Sequence, residues 1–102
     1  MKTSELTGAA LDWAVAKAIG EYRPVAVPAY STDWTKGGPI IEREGISVAR
    51  RGEHSFSPWG AVLQGFEFDE EGPTPLIAVM RCYVASKLGD DVTLPPELEQ
   101  TA

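Results

Sequence analysis

One cysteine and one histidine in 102 residues leave this chain almost without the side chains that carry metal, redox and nucleophilic chemistry. Cys82 has no second cysteine to pair with, so an intrachain disulfide is excluded. A protein metal site takes three or four His, Cys or carboxylate ligands in a cluster, and no such cluster is visible; neither a metal nor a cofactor is expected. Glycine-rich phosphate signatures of the G-x-x-x-x-G-K and G-x-G-x-x-G types are also missing. Lys36-Gly37-Gly38-Pro39 resembles one only superficially, because Pro39 lacks the N–H a phosphate cradle would use there. Basic residues are scarce as well. Nine Lys and Arg against fifteen Asp and Glu give a net charge of −6, and Arg50-Arg51 is the only adjacent basic pair. General nucleic-acid binding, which needs a basic face to displace counterions, is therefore not expected, although a local pocket for one small anion stays open. No run approaches the ~20 apolar residues that cross a bilayer. The first twenty residues carry acids in a helical pattern instead of a signal peptide's apolar core. The expectation is a cytoplasmic protein without a membrane partner.

What is present is ordinary globular material, 43% apolar and 24% charged, broken by eight prolines and ten glycines into short elements. The reading is one α+β domain over 1–95, a small antiparallel sheet of about three to four strands packed against two main helices, with 96–102 as a frayed tail. The first helix spans 4–19, rich in alanine and stopped by Gly20. At 100° per residue, Leu6, Ala10 and Trp13 form one stripe. Leu11, Val15, Ala18 and Ile19 extend it round much of the cylinder. So broad an apolar surface implies contact on two sides, the domain's own core and a partner subunit, hence a homo-oligomer. Arg23–Tyr30, with Pro24 and Pro28, reads as an edge strand or extended segment. Ile46–Arg50 alternates as a strand. Residues 51–58 form a loop, and 59–63 with 65–69 are one bent strand or two short ones, Phe66 and Phe68 sharing a face. Asp69-Glu70-Glu71-Gly72-Pro73 reads as a solvated acidic turn. Thr74-Pro75 is a strong helix start and Gly89 a stop, giving the second helix over 75–88.

Between these elements lies Tyr30–Glu44, which puts two aromatics, an acid, a Gly-Gly-Pro bend and a Glu-Arg-Glu run into one central connection. Gly37-Gly38-Pro39 is read as a sharp turn from which Pro39 opens a short helical turn at Ile40–Glu44, anchored by Ile40 and Ile41. Trp34, beside Asp33, has no local core partner; it is either a lid over the sheet or a stacking plate for a planar ring. Trp59, at a strand start, has the same two readings, whereas Trp13 sits on the core stripe. Glu42 follows two buried isoleucines and is either a general base or half of a buried pair with Arg43 or Arg81; Glu44 reads as solvated. Arg81, the one basic group on the core-facing half of the second helix, is a snorkelling surface residue or an anion ligand. Cys82 falls among apolar neighbours, where an inert buried thiol is the common outcome, so a Cys82–His54 catalytic pair is not favoured and His54 is an exposed loop residue. The candidate ligand set is thus Tyr30, Asp33, Trp34, Glu42, Arg43, Trp59 and Arg81, with no catalytic residue.

Three blocks together resemble a known family: Leu6-Thr7-Gly8-x-x-Leu11-Asp12-Trp13-x-Val15, then Tyr30-Ser31-x-x-Trp34-x-x-Gly37-Gly38-Pro39-Ile40-Ile41-Glu42, then Pro75-Leu76-x-Ala78-x-Met80-Arg81. They are similar to the NinX-type family of small phage and prophage proteins, over residues 3 to about 95. The resemblance implies phage origin and a bacterial host cytoplasm; it brings no enzymatic activity and no catalytic residue.

Function then divides into three classes. A non-catalytic binder of a nucleotide-like small molecule, sequestering a nucleotide-derived host immune signal, uses the aromatic and guanidinium groups for stacking and phosphate pairing. An acidic inhibitor or adaptor, using Asp69-Glu70-Glu71 and Asp90-Asp91 against a basic site on a host protein, is the alternative. A phosphodiesterase- or deaminase-like enzyme comes last, for want of a His/Cys cluster.

Overall fold

The computed structural model describes residues 1–20, 26–52, 58–63, 65 and 67–99. Among them the chain is α+β: a three-stranded antiparallel sheet with helices packed against it. Its centre is the helix Pro75–Leu88, which contacts all three strands and two other helices. Thr74 Oγ1 accepts the Ile77 N–H at 3.1 Å, Pro75 occupies the first turn where no donor is missed, and Gly89 follows with φ 89°. From Leu76 to Ala85 every residue except Ile77 is buried. A helix apolar all round is one enclosed on all sides. Cys82 lies in this wall at 0% exposure, and burial first, then Glu70 and Asp69, push its thiol up to about 12. At neutral pH it stays protonated and inert.

The sheet is a meander. Strand β1 (Ser47–Arg50) pairs with β2 (Trp59–Leu63), Arg50 opposite Trp59, and β2 pairs with β3 (Phe68–Gly72), Leu63 opposite Phe68. Residues 69–72, expected in a solvated turn, are therefore strand. Their charges alternate instead of clustering in solvent: Asp69 and Glu71 face Arg51, at 2.6 and 4.0 Å, while Glu70 is half-buried on the side of Arg81. Charged side chains on an edge strand also discourage pairing with another sheet.

Ahead of the sheet come two helices. The first, α1 (Gly8–Ile19), is shorter than expected because Thr3–Glu5 forms a 3₁₀ turn of its own, and Gly20 closes it at φ 86°. Ala10, Leu11, Ala14, Val15 and Ala16 are buried against the centre. Leu11 and Val15, at 0% exposure, each contribute roughly 1.5–3 kcal/mol of apolar burial. The other side, at Ala9, Asp12 and Trp13, faces Val27, Pro95 and Leu98 across a cleft. The chain itself thus supplies a second contact for this helix. Part of that cover is a short helix, α4 (Pro96–Glu99), where a frayed tail was expected; Leu98 packs against the core.

The second helix, α2 (Trp34–Glu44), corrects the expected bend. It continues without a break through Gly37-Gly38-Pro39. Asp33 caps it, accepting the Thr35 N–H at 2.9 Å and the Thr35 hydroxyl at 2.7 Å, so the helix is nucleated one turn before Pro39. Gly38 has no Cβ to clash with the Pro39 ring, which is what usually bars helical backbone before proline. Gly37 is required by closeness: a Cβ there would lie 2.6 Å from the Tyr30 carbonyl oxygen and 2.8 Å from Leu76 Cδ1. The helix starts of α2 and of Pro75–Leu88 (α3) meet at this point. His54, Phe66 and residues 23–25 of the expected extended segment lie outside the described residues.

Candidate functional site

The turn that leads into α2 is held from both sides. Asp12 Oδ1 on α1 accepts the Ser31 N–H at 2.8 Å, and the Asp33 N–H donates to the Ala29 carbonyl at 2.9 Å. Tyr30 is buried at 9% exposure, its backbone pressed against Gly37. Trp34, first residue of the helix, is by contrast 53% exposed, an unusual state for so large an apolar ring. Beside it opens a groove of about 220 Å³ lined by Ser31, Thr32, Thr74, Pro75, Leu76 and Ile77. Its walls alternate hydroxyls with apolar surface, between the starts of two helices. Asp33 belongs to the same corner but is engaged as the cap, and its bonds with Thr35 hold its carboxyl below the usual range.

The remaining candidates lie elsewhere. Glu42 is exposed on α2 and stands outside any buried pair with Arg43 or Arg81. Arg43 Nε donates to Glu44 Oε2 at 3.0 Å and Nη2 to the Tyr83 hydroxyl at 3.5 Å; the bond to Glu44 raises its guanidinium above the ordinary value. Glu44, read as solvated, is the hub of this end of α2, for Lys87 also approaches it at 3.8 Å. Trp59 is half-buried, with the Arg50 guanidinium 5.8 Å from its ring centre across the strand pair.

Arg81 is neither a snorkelling surface group nor open to a ligand on all its donors. At 7% exposure it donates from Nε to the Leu6 carbonyl and from Nη1 to the Glu71 carbonyl, both at 2.8 Å. It clamps the segment before α1 to β3. Burial lowers its pKa, with Glu70 and Glu5 opposing. The surface around it is acidic. One cavity of about 460 Å³ is lined by Ser4, Asp69, Glu70, Glu71 and Arg81, and an adjoining one of about 390 Å³ shares Ser4 and Glu70 and adds Lys2, Thr3, Asp90 and Asp91. Backbone pairing explains the meeting: the Thr3 N–H donates to the Asp90 carbonyl at 2.9 Å, Thr3 Oγ1 to the Gly89 carbonyl at 2.7 Å, and Lys2 bridges to Asp91. The two acidic runs, twenty residues apart in sequence, thus border one surface. Burial and the nearby Asp90 carboxylate raise Glu70 above its ordinary value.

The fold therefore brings Tyr30, Asp33 and Trp34 together, sets Glu42 and Arg43 toward the opposite end of the same helix, and leaves Trp59 and Arg81 apart from both. The Trp34 groove and the Arg81 cavity share no lining residue. Sequence reasoning missed Asp12, the residue that ties α1 to this corner; the signal was there, a carboxylate inside an otherwise apolar helix. Among the described residues no group of three or more His, Cys, Asp or Glu could hold a metal ion.

These features stand on a stretch with a recognisable relative. The family model described as Bacteriophage P22, NinX, matches residues 2–87. The chain belongs to the NinX family. The NinX match takes in α1, α2, the whole sheet and nearly all of α3, so the Trp34 corner and the Arg81 clamp both fall inside it, whereas α4 falls beyond. No curated protein matches the chain. NinX membership marks this as a phage protein, and no described helix is long and apolar enough to cross a membrane.

Proposed function

We propose that this phage protein acts in the host cytoplasm as a non-catalytic accessory factor, capturing a planar, nucleotide-like small molecule and thereby sequestering a nucleotide-derived immune signal. The observation that carries the reading is Trp34, a half-exposed indole at the mouth of a groove. A ring stacked on the indole would recover burial that the chain alone leaves unused, and the hydroxyls of Thr32 and Thr74 supply polar edges. At about 220 Å³ the groove is smaller than the roughly 300–1,000 Å³ of a typical ligand pocket, so it takes the ring and leaves the rest of the ligand at the surface, or at a second subunit. Arg81, already donating to two carbonyls, contributes little to the ligand's anion. The test is calorimetry with adenine nucleotides and cyclic dinucleotide signals, the ligand being recovered and analysed afterwards. Saturable binding of an unchanged ligand is expected, weakened at least tenfold by Trp34→Ala. Absence of heat across the panel, or a ligand returned chemically altered, removes the reading.

A second reading rests on a separate observation, the convergence of Asp69–Glu71 with Asp90–Asp91 on one surface. Such a surface suits the basic site of a host protein, by charge complementarity. Reversing Asp90 and Asp91, both exposed, to lysine would then abolish capture of a specific partner from host lysate while Trp34→Ala leaves it intact. A partner retained after reversal rules this reading out.

A further inference from the structure

The groove beside Trp34 has a hydrogen-bonding bias as well as a shape. None of its described lining residues is charged. Ser31 is buried at 2% exposure, which leaves Thr32 and Thr74, both exposed, as the side chains with polar groups to offer. The two helix starts at its rim are capped differently. Asp33 brings a carboxylate to α2, whereas α3 is capped by the neutral Thr74 hydroxyl. The positive end of α3 is therefore not neutralised by its own cap. Thr74 Oγ1 already accepts the Ile77 N–H at 3.1 Å, a bond that leaves its hydroxyl proton to donate. The Leu76 N–H, in the first turn of α3, has no acceptor within the helix. On its α3 side the groove thus offers donors and a positive field, and both suit an edge made of acceptors.

Purine rings differ in this respect. A 6-oxopurine presents O6 and N7, two adjacent acceptors, whereas a 6-aminopurine sets an amino donor beside N7. Building on the capture of a planar ring at Trp34, on which this step rests, we propose that Thr74 is the specificity-determining residue of the groove. The ring it selects is a 6-oxopurine, stacked on the indole with its O6 and N7 edge toward the Thr74 hydroxyl and the start of α3. A 6-amino group in that place sets donor against donor at the positive end of the helix. The Thr32 hydroxyl, able to donate or accept, does not discriminate.

The test is calorimetry of the whole chain with inosine 5′-monophosphate and adenosine 5′-monophosphate, which share sugar and phosphate and differ in the ring. The inosine compound is expected to bind about fivefold tighter, the worth of one hydrogen bond. Thr74→Ser keeps both the cap and the donor, so the preference stays. Thr74→Asp keeps the cap but supplies no donor, so the preference disappears or reverses while the fold is retained. The ratio of the two affinities decides, because any repulsion of the phosphate by the new carboxylate acts on both ligands alike. Equal or tighter binding of the adenosine compound, or a preference that survives Thr74→Asp, overturns the assignment; with binding still weakened about tenfold by Trp34→Ala, capture at the groove then stands without it. Absence of binding by both compounds, or binding indifferent to Trp34→Ala, overturns the assignment together with the capture it rests on.

Discussion

Replacing Arg81 by methionine lowers the folding stability by about 3 kcal/mol. Methionine keeps the aliphatic packing but removes both donors, so the carbonyls of Leu6 and Glu71 lose the partners they hold at 2.8 Å. Each buried polar group left unsatisfied costs roughly 1–3 kcal/mol, and a charged donor sits toward the top of that range. For a domain of this length the loss shifts the thermal midpoint by about 15 °C. Arg81→Lys recovers part of it, because one ammonium reaches one carbonyl but not two groups on separate elements. Urea unfolding of the three proteins measures this directly. A change below about 1 kcal/mol in the methionine variant would mean that the clamp contributes little, and would return Arg81 to the set of groups available to a ligand.

Gly37→Ala is expected to destabilise by about 2 kcal/mol, against the usual direction. In a helix interior alanine is ordinarily favoured over glycine by up to about 1 kcal/mol. Here the added Cβ meets the Tyr30 carbonyl oxygen at 2.6 Å and Leu76 at 2.8 Å. Leu76 is buried and the carbonyl belongs to the main chain, so neither yields cheaply; overpacking of this kind costs about 1–3 kcal/mol. Thermal unfolding of the variant beside the unsubstituted protein measures the effect. The Gly37 variant also pushes apart the helix starts that form the Trp34 groove, and so reports on ligand capture as well. A Gly37→Ala protein as stable as the unsubstituted one would contradict the close approach of α2 to α3.

Where the sequence was explicit, it was explicit through local chemistry. Thr74-Pro75 and Gly89 bound α3 because capping needs only near neighbours, and the alternation of 46–50 with the apolar run at 59–63 placed β1 and β2 for the same reason. The misreadings have a common cause, tertiary partners that local patterns do not encode. Gly37-Gly38-Pro39 looks like a turn by composition, yet Gly37 serves close packing on Tyr30 and Leu76, and the Asp33 cap carries the helix across the proline. Asp69–Gly72 looks like a solvated turn until Arg51 is set opposite it. The candidate site was half legible. Trp34 could be singled out because nothing nearby in sequence would bury it. The engagement of Arg81 could not be read, since its acceptors are backbone carbonyls, one of them 75 residues away, and carbonyls leave no trace in a side-chain pattern. The cover over the second side of α1 likewise comes from the far end of the chain.

The most direct measurement is a titration of the ¹⁵N-labelled protein with adenine nucleotides and cyclic dinucleotides, read at the indole N–H of its three tryptophans. Capture at the α2–α3 corner requires the Trp34 resonance to move and saturate while Trp13 and Trp59 keep their positions. Three unmoved resonances, or a response confined to Trp59, would contradict it.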